Sequence, residues 1–455
     1  MRSVLNILTR QGFLVLAVAL PIAVSGAPAQ AQSFDSCAAE AASQWEPGFQ
    51  STGRDTQLIS PSSAIATCQQ ALAEDPDNPQ LKAWLGRAYY ADNQKGLAVP
   101  LFEEAALGGN VVALTLLGDM LITGDAVTQD MVRGNDLLRQ AADQGFAPAQ
   151  NSLGLSYDLG EGVEQDYVQA VSFYRAAAEQ GLPRAESNLG LMYQEGLGVA
   201  RDYVAAEAWL ERAAYQGDAV GAYNIGRIYE KGLMVPVDYY RAASYYQQAA
   251  GQGNMFAQAS LGYLTENGLG TTADASAAAA LYQQAADQGH AQAQHNLGVL
   301  YETGNGVPQD HARAFELYLA AANAGNTDAA VNLALLYLDG VGTDANLDEA
   351  VRWTQVAADA GNAAGLNNMG QLHENGYGVA ADNELALSYY QRSADLGYEL
   401  GRNNLARLQQ AMLAPQPAPE PEPVLEPEPI PEPMPAPVDD TPLGQQTYEP
   451  SKIGR

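Results

Sequence analysis

The stretch "NLGLMYQEGLGVARDY", Asn188–Tyr203, decides the fold. With Ala185 before it, the apolar set Leu189, Met192 and Tyr193 has helical spacing. Gly196 and Gly198 then break the pattern, because glycine admits positive φ. Asp202 stands before the next apolar run, where an aspartate caps a helix N-terminus. That run, "YVAAEAWLERAAYQG", puts Ala206, Trp209, Leu210, Ala213 and Ala214 on one face and stops at the C-cap glycine Gly217. One stretch therefore predicts two helices and a glycine loop. Gly190 and Ala206 let the helices approach closely, and Trp209 or its equivalents fill the remaining space.

The same text recurs as "SLGLSYDLGEGVEQDY" from Ser152 and "NLGVLYETGNGVPQDH" from Asn296. The small residue after the leucine falls at Gly118, Gly154, Gly190, Gly226, Gly262, Gly298, Ala334, Gly370 and Ala406, a step of 36 residues each time. The closing glycine keeps the same step from Gly109 to Gly397. The capping aspartate returns as Asp130, Asp166, Asp238, Asp274, Asp310 and Asp382. Two registers held this long mean a repeat array, in which each helix pair buries its apolar face against its neighbours. The expected architecture is all-α, a right-curving α-solenoid of about eight 36-residue helix-turn-helix units with first helices lining its inner face.

The pattern A-x-x-N-L-G-x-x-Y-x-x-G-x-G-V-x-x-D, followed by the alanine pairs of the second helix, resembles the Sel-one-like repeat (SLR) family of the TPR-like superfamily. The resemblance runs from Val111 to Gln410. It departs at Met234, where the second loop glycine belongs, and at Asn346, which replaces the capping aspartate. The preceding unit, "DPDNPQLKAWLGRAYYADNQKGLAVPLFEEAALGG", lacks the G-x-G loop and resembles an ordinary TPR unit.

The chain thus divides into a leader (1–31), a disulfide-stapled N-terminal cap with the TPR-like unit (32–110), the SLR solenoid (111–412) and a Pro/Glu-rich tail (413–455). Arg2 and Arg10, the apolar run Phe13–Val24 and Ala29-Gln30-Ala31 read as a secretory signal peptide cut after Ala31. No stretch is long and apolar enough for a membrane span, and bacterial periplasm is the expected compartment. The tail "APQPAPEPEPVLEPEPIPEPMPAP" has no core-forming pattern and reads as a disordered, extended spacer. An exported chain with two cysteines is expected to join Cys37 to Cys68.

The net charge of −31 repels phosphate backbones and excludes nucleic acid as a partner class. A basic partner, or an apolar one with a basic rim, is favoured. The four histidines, His290, His295, His311 and His373, have no metal-ligand spacing on one helix face. No serine or cysteine has a nucleophile motif, and no glycine loop carries a phosphate-site lysine. The expectation is a protein without catalytic, cofactor or metal site.

Partner binding falls to positions the repeat leaves variable. Three before and one after the marker, these read Asn151/Leu155, Ser187/Leu191, Tyr223/Arg227, Ala259/Tyr263, His295/Val299, Val331/Leu335 and Asn367/Gln371. They share a helix face, and both positions are expected to be exposed. Leu155, Leu191, Tyr223, Arg227, Tyr263, His295, Val299 and Leu335 form the candidate groove. Four after the marker, Glu230, Glu266 and Glu302 form its acidic rim or bond the loop backbone. The resemblance implies an exported adaptor or scaffold that holds a peptide or protein in a concave groove, in envelope regulation or assembly. Its cysteine-rich relatives imply an alternative, a cell-wall or β-lactam hydrolase, but those carry a disulfide in each repeat and this chain has no cysteine in these units.

Overall fold

A computed structural model describes residues 29–233 and 235–413. Residues 1–28, Met234 and residues 414–455 lie outside the described residues, and with them most of the expected signal peptide and of the expected Pro/Glu-rich tail. Among the described residues there are 21 α-helices and no strand. They fall into two compact units, residues 29–120 with 124–128 and residues 121–123 with 129–413.

The first unit holds α1 (Ala29–Ala41), α2 (Pro61–Glu74), α3 (Pro79–Ala91), α4 (Lys95–Leu107) and most of α5 (Val111–Thr123). Helix α1 runs through the Ala31–Gln32 junction. Trp84 is the centre of the core, with Phe34 and Phe49 rings 5.0 and 5.1 Å away. The Cys37–Cys68 disulfide is formed within the same core. Two buried charges are fully engaged. Glu46 accepts from Trp84 Nε1 at 3.0 Å and from Gln80 Nε2. Arg87 donates to the carbonyls of Ala41 and Arg54 and to the Thr56 hydroxyl. Burial lowers its guanidinium to about 10, against the attraction of Glu46 and Asp55.

The second unit continues with α6 (Met131–Asp143), α7 (Ala147–Leu159), α8 (Tyr167–Glu179), α9 (Pro183–Glu195), α10 (Tyr203–Tyr215), α11 (Ala219–Lys231), α12 (Tyr239–Gly251) and α13 (Met255–Asn267). It ends with α14 (Ala275–Asp287), α15 (Ala291–Thr303), α16 (His311–Asn323), α17 (Thr327–Asp339), α18 (Leu347–Asp359), α19 (Ala363–Asn375), α20 (Asn383–Asp395) and α21 (Glu399–Leu413). Within this unit α6 packs on α7, and from α7 onward each odd-numbered first helix packs on its own second helix and each second helix packs on the next first helix. The result is a solenoid.

Local chemistry sets each boundary. Asp166 accepts from the backbone N–H groups of Val168 and Gln169 at 2.9 and 3.1 Å, a bonded N-cap. Asn346 caps α18 through Glu349 N alone, the single bond that Asp310 and Asp382 also make, so the departure from aspartate keeps the cap. First helices end on a left-handed glycine such as Gly196, φ 72°. The second loop glycine has a further reason. A Cβ on Gly198 would lie 2.2 Å from the Tyr167 carbonyl, because the loop rests on the first turn of the preceding second helix.

The marker glycine lies under a side chain from the second helix. In five repeats that side chain is a tyrosine. A Cβ on Gly298 would stand 2.6 Å from the Tyr318 ring, and Gly154, Gly226, Gly262 and Gly370 meet Tyr174, Tyr246, Tyr282 and Tyr390 alike. This corrects the sequence reading. Over Gly190 the space is filled by Leu210, one residue after Trp209, and Trp209 is only half-buried. The Trp209 position stacks instead on the tyrosine three residues after the marker: Phe173 on Tyr157 at 5.8 Å and Tyr245 on Tyr229 at 5.9 Å.

Two stability outcomes follow from this packing. The Cys37→Ser/Cys68→Ser variant is expected to lose about 3–4 kcal/mol in the first unit's denaturant titration, from the freed unfolded chain. An unchanged midpoint would show that the bond staples nothing. Gly298→Ala drives a methyl into the Tyr318 ring and is expected to lose about 1–3 kcal/mol. Ala334→Gly, in a repeat without that tyrosine, is expected to lose no more than about 1 kcal/mol from helix propensity. Equal losses in thermal melts would mean that the ring yields.

Candidate partner-binding face

The two rows separate by burial. The position three before the marker was expected to be exposed and is not: His295 is 3% exposed, and Asn151, Ser187, Ala259, Val331 and Asn367 are buried as well. These residues form a seam between consecutive first helices. Asn188 Nδ2 donates to Asn151 Oδ1 at 2.9 Å, and Asn404 Nδ2 donates to Asn367 Oδ1 at 2.8 Å. Asn332 Nδ2 lies 3.2 Å from His295 Nε2 in the same register. Burial lowers the His295 pKa, against the Asp328 charge and the bond to Asn296. His295 is thus a joint between repeats, as a buried polar group must find a partner.

The position one after the marker changes along the chain. Leu155 and Leu191 are buried, at 8% and 7% exposure, which corrects the expectation of exposure for them. Arg227, Tyr263, Val299 and Leu335 are half-buried, as is Tyr223 from the other row. Tyr223 anchors an aromatic ledge: its ring lies 5.7 Å from Tyr246 and 5.8 Å from Phe256, with Arg227 5.8 Å over it. Phe256 in turn meets His290 edge-on at 5.3 Å. His290 also caps α15, accepting from Ala293 N at 3.1 Å. His373 takes the tyrosine position and stacks on Tyr389 at 5.7 Å.

The acidic row bonds to tyrosine, not to the loop backbone. The hydroxyls of Tyr246, Tyr282, Tyr318 and Tyr390 donate to Oε2 of Glu230, Glu266, Glu302 and Glu374, at 2.6, 2.9, 2.6 and 2.7 Å. Tyr174 does the same for Asp158 at 3.2 Å. Burial and then the neighbouring carboxylate hold the Tyr246, Tyr282 and Tyr318 hydroxyls well above the ordinary phenol range, so they stay donors. Glu230, Glu266 and Glu302 are half-buried, with one oxygen fixed from inside.

Sequence reasoning missed these tyrosines, although the chain carries the signal. Where the tyrosine is replaced, the acid is replaced too: Leu138 goes with Ile122, Leu210 with Gln194 and Thr354 with Leu338. A carboxylate without its donor would be desolvated for nothing. Among the described residues, no group of three His, Cys, Asp or Glu residues is placed to hold a metal ion, and no helix is long and apolar enough to cross a membrane.

Helix pairs joined by a glycine loop, stacked through a polar seam and carrying a variable row, define a TPR-like α-solenoid repeat protein. The Sel1 repeat model matches residues 111–146, 147–182, 183–218, 219–254, 256–290, 291–326, 327–362 and 363–398, and a tetratricopeptide repeat model matches 60–120. The chain belongs to the Sel1 repeat family. It is similar to a solved protective antigen of uropathogenic Escherichia coli with an SLR fold, at 28% identity over 82% of this chain and 86% of that one, TM-score 0.46. A solved Sel1 repeat protein from Oxalobacter formigenes is 29% identical over 54% of this chain and 96% of its own, TM-score 0.50. No curated protein matches the chain.

The tyrosine–carboxylate pair is separable by a mutant cycle. Tyr282→Phe is expected to lose about 1 kcal/mol, since Glu266 keeps its desolvation and loses its donor. In a Glu266→Leu background the same change is expected to be nearly neutral, as in the repeat with Thr354 and Leu338. Equal effects in both backgrounds would show that the bond contributes nothing.

Proposed function

We propose that the chain is an exported scaffold that holds a protein or peptide on the first-helix face of its solenoid, in cell-envelope regulation or assembly. The observation that carries this reading is the half-buried row Arg227, Tyr263, Val299 and Leu335, bordered by Glu230, Glu266 and Glu302 in consecutive repeats. Tyr263, Val299 and Leu335 with their acidic edge fit a partner that is apolar with a basic rim, or basic throughout. Sel1 and TPR repeat proteins are generally non-catalytic scaffolds, which supports the same reading. Export, with a leader cut after Ala31 and a periplasmic destination, is supported by the leader's composition and by the Cys37–Cys68 bond. The hydrolase alternative gains no support: both cysteines are joined to each other in the first unit.

A photoreactive residue at Tyr263 in living cells tests the reading, with exposed Glu211 on α10 as control. The expected result is one discrete adduct from Tyr263 and none from Glu211. Folded, exported protein without an adduct from Tyr263 would count against binding on this face.

A further inference from the structure

Glu374 displays what a cation does at this position of the repeat. It lies four residues after Gly370, and its Oε2 accepts from the Tyr390 hydroxyl at 2.7 Å. Arg407 of α21 reaches the same carboxylate with both arms, Nη1 to Oε1 and Nη2 to Oε2, each at 2.7 Å. Arg407 follows Ala406, so it occupies the one-after-the-marker position of the succeeding unit. Two parallel bonds of this kind are a guanidinium geometry that an ammonium does not reproduce. Burial raises the Glu374 pKa, but the bonds from Arg407 and Tyr390 outweigh it and hold the carboxyl below its ordinary range.

The same carboxylate recurs at Glu302 and Glu266, with Oε2 held by Tyr318 and Tyr282. At Arg407's position the succeeding repeats carry Leu335 and Val299, half-buried and uncharged. Among the described residues, no cation pairs with Glu266 or Glu302. The result is visible at Glu266: burial raises its pKa, with only the Tyr282 bond opposing.

We infer that Glu266 and Glu302 are receptor sites for arginine side chains of the protein partner, each guanidinium seated on its carboxylate as Arg407 is seated on Glu374. The inference rests on the scaffold reading and names the chemistry that the partner brings. Val299 and Leu335 offer an apolar ledge for the methylene stem of the incoming arginine. The tyrosine hydroxyl fixes the carboxylate beforehand, so binding does not have to order it. The net charge of −31 draws a cationic segment towards the solenoid.

The test uses acetylated, amidated peptides with two arginines in a leucine–alanine background, the spacer varied, against the full chain in low salt. Companion peptides carry citrulline, the uncharged isostere, or lysine. The expected result is binding by an arginine peptide that falls about tenfold or more with citrulline, several-fold with lysine, and about tenfold in Glu266→Gln or Glu302→Gln protein. Val299→Arg and Leu335→Arg supply the guanidinium from within the chain and are expected to block the respective site. Three results would each overturn the inference: no arginine peptide binds, citrulline binds equally, or the glutamine variants bind as the parent does. Each variant is checked for unchanged helicity. A Tyr263 adduct that persists in the Glu266→Gln/Glu302→Gln protein would leave the scaffold standing and remove the arginine sites. Arginine-peptide binding without any cellular adduct would do the reverse.

Discussion

The repeated part of this chain depends on one close approach: a second-helix tyrosine ring lying on the first helix where a glycine leaves room for it. Gly298 under Tyr318 and Gly370 under Tyr390 are the clearest instances. The contact sets the helix separation, buries a large ring completely and aims its hydroxyl at one place on the first helix. A carboxylate stands at that place in every repeat with the tyrosine. Where the ring is lost, the acid is lost, and in one repeat the glycine has become Ala334. The three positions act as one packing unit, because a ring, a vacant Cβ and a hydrogen-bond acceptor are needed together.

Repeats join through backbone and seam. The second loop glycine rests on the preceding second helix, closer than any Cβ permits, as Gly270 does on Tyr239 and Gly342 on His311. The first helices are linked by asparagines that reach across to the preceding repeat. Both devices act between nearest neighbours only, as expected of a quasi-one-dimensional array.

This division of labour leaves one variable row only half-buried, at Arg227, Tyr263, Val299 and Leu335. The tyrosine hydroxyl occupies one carboxylate oxygen, Oε2, and at Glu374 the other, Oε1, accepts from Arg407. At the end of the array the chain closes that arrangement itself, with Arg407 from α21 on Glu374. Within the array the positions equivalent to Arg407, in the repeats after Glu266 and Glu302, carry the uncharged Val299 and Leu335. The proposed arginine sites rest on this contrast, and the acidic balance of the whole chain is consistent with a positively charged partner.

The sequence by itself determined the helix count per unit, the 36-residue step, the glycine loops and the aspartate caps, because each is a local demand of the backbone that recurs in register. Two cysteines in one segment of a chain whose leader reads as a signal peptide sufficed to pair Cys37 with Cys68. Only the tertiary structure decided which variable residues stay accessible. His295 and Leu155 have the spacing of a surface row yet lie in the seam and core, because burial depends on how far each neighbouring helix overlaps it. Spacing places residues on a face of one helix. Whether that face meets solvent or another helix is settled by the packing of the next repeat. The role of Tyr318 was legible only in part: its joint loss with the acid is written in the chain, but the distance that makes them partners exists only once the helices meet.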